Sequence, residues 1–379
     1  MPSSPRVLFV SKPIVPPWHD GSKNLVRDIA THLRSTRATV LTTPGAPTLG
    51  EEVTLDPVYA EVGAFAPRLS ANARVLLRLI DGDPHDIWHF VFAPSTASSM
   101  AARLARTVQR ARGWRGITVQ TVASMPRRFR DVPRLLFGDR VVVLSEWTRA
   151  RLIGVGAPSQ NLRVIPPCAR EPPPSTPDAA RRVRERYGFG EGPLVVYPGD
   201  YEVSTGAMTV ASAIAEVVRH VPKATFVFAC RPKTAGAEAA RKKVVRQISD
   251  PQLSARVFHV GEIDDMHHLL GAASAVAFPV DDLYAKIDLP LVVLESLALG
   301  IPLVLARGGP LEGVASARFV AGGDAEAVAV ELVTLLADAV AARELADRGR
   351  QEYLTRFSPQ IVASQYDELY AESPRRFAA

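Results

Sequence analysis

Short runs of β-branched and aromatic residues alternate with longer amphipathic segments along this chain, and that alternation constrains its fold more than any other feature. Strands that alternate with helices are typical of a parallel sheet whose strands are joined by crossover helices. The first half contains six strand candidates: RVLFVS (6–11), ATVLTT (38–43), DIWHFVF (86–92), ITVQTV (117–122), RVVVLS (140–145) and LRVIPP (162–167). The pattern predicts an α/β protein whose first half forms one doubly wound parallel sheet.

A proline-rich stretch interrupts the alternation. Four prolines fall within residues 172–177, a composition that resists both helix and interior strand, and we expect a linker over 171–190. The alternation then restarts with PLVVYPG (193–199), ATFVFAC (224–230), RVFHVG (256–261), AVAFPV (275–280) and PLVLA (302–306). The sequence therefore predicts two Rossmann-like domains, over 1–170 and 191–356.

The composition describes a protein that folds in water. The 379 residues are 47% hydrophobic and 22% charged, and no stretch reaches the roughly 18 apolar residues in a row that a membrane span needs. The first residues, MPSSPRVLFVSK, lack the pattern of an export signal. Cys168 and Cys230 stand in unrelated contexts, which indicates neither a disulfide framework nor a zinc site. We expect a cytoplasmic protein.

The charge is unevenly distributed. Residues 1–180 carry 23 Lys and Arg against 14 Asp and Glu, a net charge of +9, and the remainder carries a net charge of −3. Much of the excess lies in 103–116 and 127–134. One interpretation is a solvated arginine-rich helix face; the other is peripheral contact with the inner face of a membrane, or contact with a phosphorylated acceptor. No nucleic-acid motif accompanies the charge, so we expect no nucleic-acid partner.

The sequence lacks GxGxxG after the first strand of either half, and it lacks GxxxxGK[ST] throughout. Dinucleotide dehydrogenases and P-loop NTPases are therefore disfavoured. Parallel sheets of this kind still bind ligands at the carboxyl ends of their strands. A nucleotide in this protein would need another way to be held.

The segment KIDLPLVVLESLALG predicts a helix directly after a strand. Asp288 is a good N-cap residue, Pro290 suits a first turn, and Gly300 is placed to end the helix. The N-terminus of such a helix lies at the carboxyl end of the sheet and is ready to bind a phosphate. Lys286 adds a positive charge there, and Glu295 is placed to accept hydrogen bonds from the two vicinal hydroxyls of a ribose. The alternative is that Glu295 pairs with a buried arginine or a backbone N–H.

At this point the sequence resembles the retaining family 4 glycosyltransferases of the GT-B fold. The resemblance is carried by PLVVLESLALGIPLVLA (290–306), GDRVVVLSEWTRARLIGVGAPSQNLRVIPP (138–167), VFHVGEIDDMHHLLGAASAVAFP (257–279) and FSPQIVASQYDELY (357–370). It implies two Rossmann-like domains that face each other across a cleft, with the C-terminal helix (357–379) packing back on the first. It also implies a nucleotide-diphosphate sugar donor bound by the second domain, and no metal or other cofactor.

The resemblance also assigns donor-binding residues. Glu295 matches the glutamate that binds the donor ribose in the family, and Pro290 and Leu291 open the same motif. The family's other glutamate position holds Ile287, and its donor-contacting histidine position holds Ala123. The phosphate-binding arginine and lysine of the family correspond to the loop with Gly199, Asp200 and Thr205; Arg231 and Lys233 are the nearest candidates to replace their charge.

The loop after the first strand is the candidate sugar and acceptor loop. Its predicted functional residues are Lys12, Trp18, Asp20, Gly21, Ser22 and Lys23. Backbone N–H groups can be exposed at a helix start, Trp18 can stack on a sugar, and Asp20 is the candidate general base. The alternative is a proline-rich loop with no special role. His89 is a second candidate, although a histidine with satisfied hydrogen bonds in the core is the preferred interpretation.

These observations predict an enzyme that moves a sugar from a nucleotide-diphosphate sugar to an acceptor, with retention of configuration. Lys286 and Asp288 are its candidate catalytic residues. The acceptor is open among a lipid-linked glycan, a polysaccharide and a natural product. The alternatives are a sugar phosphorylase or epimerase on the same fold, and a non-catalytic protein that binds a sugar, a lipid headgroup or a partner.

Overall fold

The structure, a computed structural model, describes residues 4–60, 69–232, 234–263 and 266–372. The chain divides into two compact units. Unit 1 comprises Met1–Ala169, Tyr284–Asp288 and Phe357–Ala379, and unit 2 comprises Arg170–Leu283 and Leu289–Arg356.

Unit 1 is built on a parallel sheet, which has seven strands among the described residues. The strands are β1 (Arg6–Val10), β2 (Arg37–Leu41), β3 (Val53–Asp56), β4 (Ile87–Phe92), β5 (Ile117–Val122), β6 (Arg140–Val143) and β7 (Leu162–Val164). Their order is β3-β2-β1-β4-β5-β6-β7. The interior strands are buried along nearly their whole length because helices cover both faces of a parallel sheet.

Helices pack on both faces of this sheet. They are α1 (Gly21–Ala30), α2 (Leu69–Asp81), α3 (Thr96–Ala111), α4 (Glu146–Gly154) and α13 (Pro359–Ala371), with short 3-10 turns at Phe129–Leu135 and Ser159–Asn161. α1 packs against α13, and their apolar side chains share one core with the sheet. α2 packs against α3 over a second core that contains Trp88 and Phe90.

Unit 2 repeats the plan with a parallel sheet of six strands in the described part of the chain. The strands are β8 (Leu194–Tyr197), β9 (Thr225–Phe228), β10 (Val257–His259), β11 (Ala275–Phe278), β12 (Leu303–Ala306) and β13 (Arg318–Val320), in the order β10-β9-β8-β11-β12-β13. Both sheets therefore have the doubly wound order, and the predicted α/β class is confirmed.

The helices of unit 2 include one in the segment that the sequence analysis assigned to the linker. They are α5 (Pro177–Tyr187), α6 (Gly206–His220), α7 (Ala237–Gln247), α8 (Pro251–Ser254), α9 (Met266–Gly271), α10 (Leu291–Leu299), α11 (Ala325–Ala337) and α12 (Ala339–Glu352), with a 3-10 turn at Pro310–Gly313 and a π-helical turn at Tyr353–Phe357. α5 forms because Thr176 caps it and Pro177 occupies the first turn, where proline is tolerated. Proline at this position starts a helix instead of preventing one.

Two strands, β3 and β13, were not predicted from the sequence. Each lies at an edge of its sheet, so a neighbouring strand covers only one of its two sides. β3 reads VTLD and β13 has only three residues, so neither carries the apolar run of an interior strand. Within the residues described here, no helix is long and apolar enough to cross a membrane.

Candidate active site

Each sheet has a switch point, where the strand order reverses and ligands bind in folds of this type. In unit 1 it lies between β1 and β4, and in unit 2 between β8 and β11. The loop from β1 to α1 therefore starts at the switch point of unit 1. The loop from β8 to α6 and the segment after β11 start at the switch point of unit 2. Both sets of predicted loops therefore begin at the carboxyl ends of the switch-point strands, where ligands bind.

Asp20 caps α1 at the end of the first of these loops. One carboxylate oxygen accepts hydrogen bonds from the Ser22 amide (2.9 Å), the Ser22 hydroxyl (2.6 Å) and the Lys23 amide (3.2 Å). The other oxygen accepts from the Lys12 ammonium at 2.6 Å. Burial raises the pKa of Asp20, but the Lys12 charge and these hydrogen bonds outweigh it and hold the pKa below its ordinary value. A capping carboxylate with a lowered pKa is a weak base.

Trp18 lies beside two cations of α1. The Arg27 guanidinium is 4.7 Å from the centre of the ring and the Lys23 ammonium is 5.7 Å from it. The Lys23 ammonium also donates to the Pro17 carbonyl at 3.3 Å. Burial lowers the pKa of Lys23. The indole predicted to stack on a sugar thus has cation–π partners from its own unit.

The segment Tyr284–Asp288 belongs to unit 1, although the residues around it in the sequence belong to unit 2. It is held by backbone bonds at Met125, whose N–H donates to the Lys286 carbonyl at 2.8 Å and whose carbonyl accepts from the Ala285 N–H at 3.2 Å. Ile287 is buried in the core of unit 1. A Cβ on Gly21 would lie 3.0 Å from the Ile287 side chain, so the start of α1 lies directly against this segment.

Asp288 does not cap α10, contrary to the sequence-based prediction. Its carboxylate is 1% exposed and accepts hydrogen bonds from the hydroxyls of Ser145 (2.5 Å) and Thr148 (2.6 Å) at the start of α4. Burial raises the pKa of Asp288, and the two hydroxyl bonds offset part of that rise. The N-cap position of α10 belongs to Pro290, which makes no side-chain capping bond. Asp288 therefore anchors its segment to α4.

The loop after β8 carries a carboxylate contact that the sequence analysis did not predict. Asp281, which follows β11, accepts hydrogen bonds from the Thr205 amide (3.0 Å) and the Thr205 hydroxyl (2.7 Å) at the start of α6. Asp200 is buried and accepts from the Val203 amide at 2.9 Å. Gly199 lies so close to the Tyr197 ring that a Cβ there would meet it at 2.4 Å. The start of α6, where the sequence resemblance predicts phosphate-binding residues, thus contacts the Asp281 carboxylate.

Arg231 is the described residue of the pair predicted to replace the missing positive charge of this loop. It follows β9, is partly exposed and lies 3.5 Å from the Glu262 carboxylate. Lys233, its predicted companion, lies outside the described residues.

α10 ends as predicted, at Gly300, which has the left-handed conformation (φ 66°) typical of a helix C-cap. It begins at Leu291, directly after the buried Pro290. Glu295 is the fifth residue of the helix, about 6 Å along the axis from its first residue at 1.5 Å per residue. Glu295 is half-buried, so it is not fully enclosed although most of the helix around it is apolar.

His89 lies in the core of unit 1. One ring nitrogen lies 2.7 Å from the Tyr370 hydroxyl and the other 2.7 Å from the Thr121 hydroxyl, and the ring is fully buried. Burial lowers the pKa of His89 to about 3. It is a core histidine with both nitrogens satisfied, which was the preferred interpretation. Ala123, at the family's histidine position, is also buried in this core.

Solved structures share this fold over nearly the whole chain. Anabaena HepE in complex with UDP aligns with a TM-score of 0.74 at 16% identity, covering 97% of this chain and 99% of that one. Sucrose-phosphate synthase from Thermosynechococcus elongatus aligns with a TM-score of 0.73 at 19% identity, covering 97% and 98%. At these identities the likeness concerns the fold.

Sequence families agree with the structural likeness. The family described as Glycosyltransferase Family 4 matches residues 19–169, and the one described as Glycosyl transferases group 1 matches 192–338. The chain is a GT4-like GT-B glycosyltransferase. Two similar proteins are GDP-mannose-dependent alpha-(1-6)-phosphatidylinositol monomannoside mannosyltransferases. The one from Mycolicibacterium smegmatis is 29% identical over 61% of this chain, and the one from Mycobacterium tuberculosis is 25% identical over 80%. The matched part of this chain spans 62% of the length of the Mycolicibacterium smegmatis relative and 81% of that of the Mycobacterium tuberculosis relative.

The structure brings the predicted residues of this glycosyltransferase together in two sets, one in each unit. Unit 1 joins the residues around the start of α1 to the segment that carries Lys286. Unit 2 holds the loop after β8, Arg231 and α10 with Glu295. Within the described residues, no group of three or more His, Cys, Asp or Glu side chains is arranged to hold a metal ion.

A cavity of about 430 Å³ lies elsewhere, at the amino ends of strands β9 and β10 in unit 2. Its lining includes Lys223, Thr225 and Arg256, and none of the predicted site residues. Ligands of doubly wound sheets bind at the opposite, carboxyl ends of the strands, so we place the candidate active site there and not in this cavity.

Proposed function

We propose that the glycosyltransferase uses a nucleotide-diphosphate sugar as its donor and that Glu295 binds the donor ribose. The observation that carries this proposal is the position of Glu295. It lies half-buried on α10, the helix that follows the switch-point strand β11, where a nucleotide is expected in a doubly wound sheet. The carboxylate can accept a hydrogen bond on each oxygen, as two vicinal hydroxyls require.

The comparisons support a nucleotide-sugar donor without selecting its base. The curated mannosyltransferase relatives are described as GDP-mannose-dependent, whereas HepE is described in complex with UDP and with UDP-glucose. Because the sequence relatives share more residues with this chain than HepE does, we propose GDP-mannose as the first donor to test. We propose a glycolipid as the acceptor class, since those relatives are described as acting on phosphatidylinositol monomannoside.

In the proposed reaction, an acceptor hydroxyl forms a bond to the anomeric carbon of the sugar, and the bond from that carbon to the diphosphate oxygen breaks. We propose that the configuration is retained. The departing nucleoside diphosphate gains negative charge, which the N-terminus of α10 and Arg231 can stabilise. The sequence-based prediction that Lys286 also stabilises this negative charge stays a prediction.

Asp20 and Asp288 are poor candidates for the general base. Asp20 is committed to capping α1 and its pKa is lowered, and Asp288 is enclosed by its two hydroxyl donors. We therefore propose that the acceptor proton leaves on the diphosphate or to solvent. A phosphorylase, an epimerase or a non-catalytic binding protein is not favoured, because the family matches and the curated mannosyltransferase relatives point to sugar transfer.

The test is calorimetric titration of the full chain with GDP, UDP and ADP, together with a screen of their sugars for hydrolysis and transfer. We expect one nucleotide to bind and Glu295→Gln to weaken its binding about tenfold to a hundredfold, the range for hydrogen bonds to a charged acceptor. The matched control is Glu326→Gln, an exposed glutamate of α11 in the same unit, which should leave the affinity unchanged. Failure of all three nucleotides to bind, or equal binding by Glu295→Gln, would refute the proposal.

A further inference from the structure

The outer face of α3 exposes large apolar side chains to solvent. The inner face of this helix packs through Ser99, Ala102, Ala105 and Gln109. Met100 and Leu104, one helical turn apart, point the other way and are 66% and 52% exposed. Two large apolar side chains side by side on a helix surface favour a role in binding.

One edge of the same face is basic. Arg103 lies three residues after Met100, and Arg110 lies seven residues after Arg103, so the two arginines line this edge of the helix. Residues 96–115 contain five arginines and no aspartate or glutamate. We call Met100, Arg103, Leu104 and Arg110 the α3 face.

Neighbouring elements add further basic and exposed apolar side chains beside the α3 face. The Arg103 guanidinium donates to the carbonyls of Arg134 (3.0 Å) and Leu136 (2.8 Å), which holds it beside the 3-10 turn that includes the exposed Arg134. On the other side, α2 packs against α3 and carries Leu77, which is 57% exposed. The only acidic partner of the α3 face among the described residues is Asp139, 3.5 Å from Arg110.

We propose that the α3 face docks on the anionic surface of a lipid bilayer. Helices that lie in a membrane interface combine apolar side chains, which enter the headgroup region, with Lys or Arg, which bind lipid phosphates. Charge complementarity selects this occupant, because the face has arginines along one edge and no acidic side chain of its own. A second copy of the chain would bring the same positive charge against it.

This proposal does not rest on the donor or the acceptor. Vesicle binding is measured without nucleotide or glycolipid. A failure of the proposed sugar transfer would therefore not contradict membrane docking, and a failure of vesicle binding would not change the result of the nucleotide titration.

The experiment is flotation of the full chain with vesicles of phosphatidylcholine alone or with about 30% phosphatidylglycerol, an anionic lipid that attracts basic segments. We expect binding to the anionic vesicles only, and its loss at high salt, because salt screens the arginine attraction. The double variant Met100→Ser, Leu104→Ser should reduce binding at least about tenfold through lost apolar burial. Arg110→Ser should also reduce it.

The matched control is Val330→Ser with Val340→Ser, two valines of unit 2 that are 57% and 70% exposed on α11 and α12. This variant should float like the unmodified protein, and circular dichroism should show all variants folded. The proposal is overturned if the unmodified protein does not float, if neutral vesicles bind it equally, or if the Met100 and Leu104 substitutions leave flotation unchanged. It is also overturned if light scattering shows a dimer that the same substitutions dissociate.

Discussion

Replacing Thr148 by valine tests whether α4 holds Asp288 as an ionised, buried carboxylate. Valine has the shape of threonine and lacks the hydroxyl, so the substitution removes the 2.6 Å hydrogen bond to Asp288. The Thr148 amide keeps its bond to Ser145, and Ser145 keeps its own bond to Asp288. Because Asp288 is 1% exposed, we expect solvent not to replace the lost donor.

The expected loss is that of one hydrogen bond to a charged group, about 1.5–3 kcal/mol of the free energy of unfolding at neutral pH. The loss should depend on pH. Burial raises the pKa of Asp288 in the folded state, so ionisation costs stability as the pH rises through that pKa. Thr148→Val removes a bond that favours the ionised form and raises the pKa further. Its deficit should therefore be smallest near the unfolded-state pKa of about 3.9 and grow toward neutral pH.

Tryptophan fluorescence during urea unfolding provides the assay. All four tryptophans, Trp18, Trp88, Trp114 and Trp147, lie in unit 1, so their emission follows the unit that contains Asp288. Unfolding is measured from about pH 4 to about pH 8, across the range above the unfolded-state pKa.

The control is Thr107→Val: Thr107 is exposed and its hydroxyl donates to the Arg103 carbonyl of its own helix, so the substitution should change stability by less than about 0.5 kcal/mol. A Thr148→Val deficit as small as the control's, or one that stays constant with pH, would show that Asp288 is not held as an ionised group by these hydroxyls.

Two further predictions concern the ends of helices. Gly300→Ala should destabilise unit 2 by about 1–2 kcal/mol, because a φ of 66° is unfavourable for a residue with a Cβ. Thermal unfolding followed by circular dichroism measures this loss. The control is Gly154→Ala, which should show no such loss because the space around its Cβ is open. Asp20→Asn retains a capping side chain and loses the Lys12 ion pair, so it should cost at most about 1 kcal/mol at neutral pH. Because the folded-state pKa of Asp20 is lowered, this difference should disappear as the pH falls through that pKa; a difference that persists in acid, followed by tryptophan fluorescence, would contradict the assigned role.

The sequence predicted the interior of both sheets well because interior strands of a parallel sheet are buried on both faces. Runs such as those of β1 and β11 have few polar residues and are easily recognised. The edge strands β3 and β13 lack this signal, since solvent tolerates polar residues there. The end of α10 was predictable because a glycine at a helix C-cap acts locally.

The site was less predictable, because its decisive contacts join residues far apart in sequence. Asp288 is bound by hydroxyls 140 and 143 residues away, and Thr205 by a carboxylate 76 residues away. Aspartate is a favoured N-cap residue, but the N-cap of the next helix is Pro290, two residues after Asp288, and the helix begins at Leu291. One signal was present for Asp281: an acid directly after a switch-point strand faces the start of the helix beside it.

The placement of α13 affects how this protein is made. Tyr366 and Tyr370 cover His89 and share the core formed by β1, β4 and α1, yet they are synthesised after all of unit 2. While the ribosome is still translating unit 2, the first 169 residues lack the apolar side chains of α13, and His89 lacks one of its two hydroxyl partners, Tyr370. We therefore expect the nascent chain to be prone to aggregation while unit 2 is being synthesised, and a fragment that ends at Ala169 lacks the α13 part of this core.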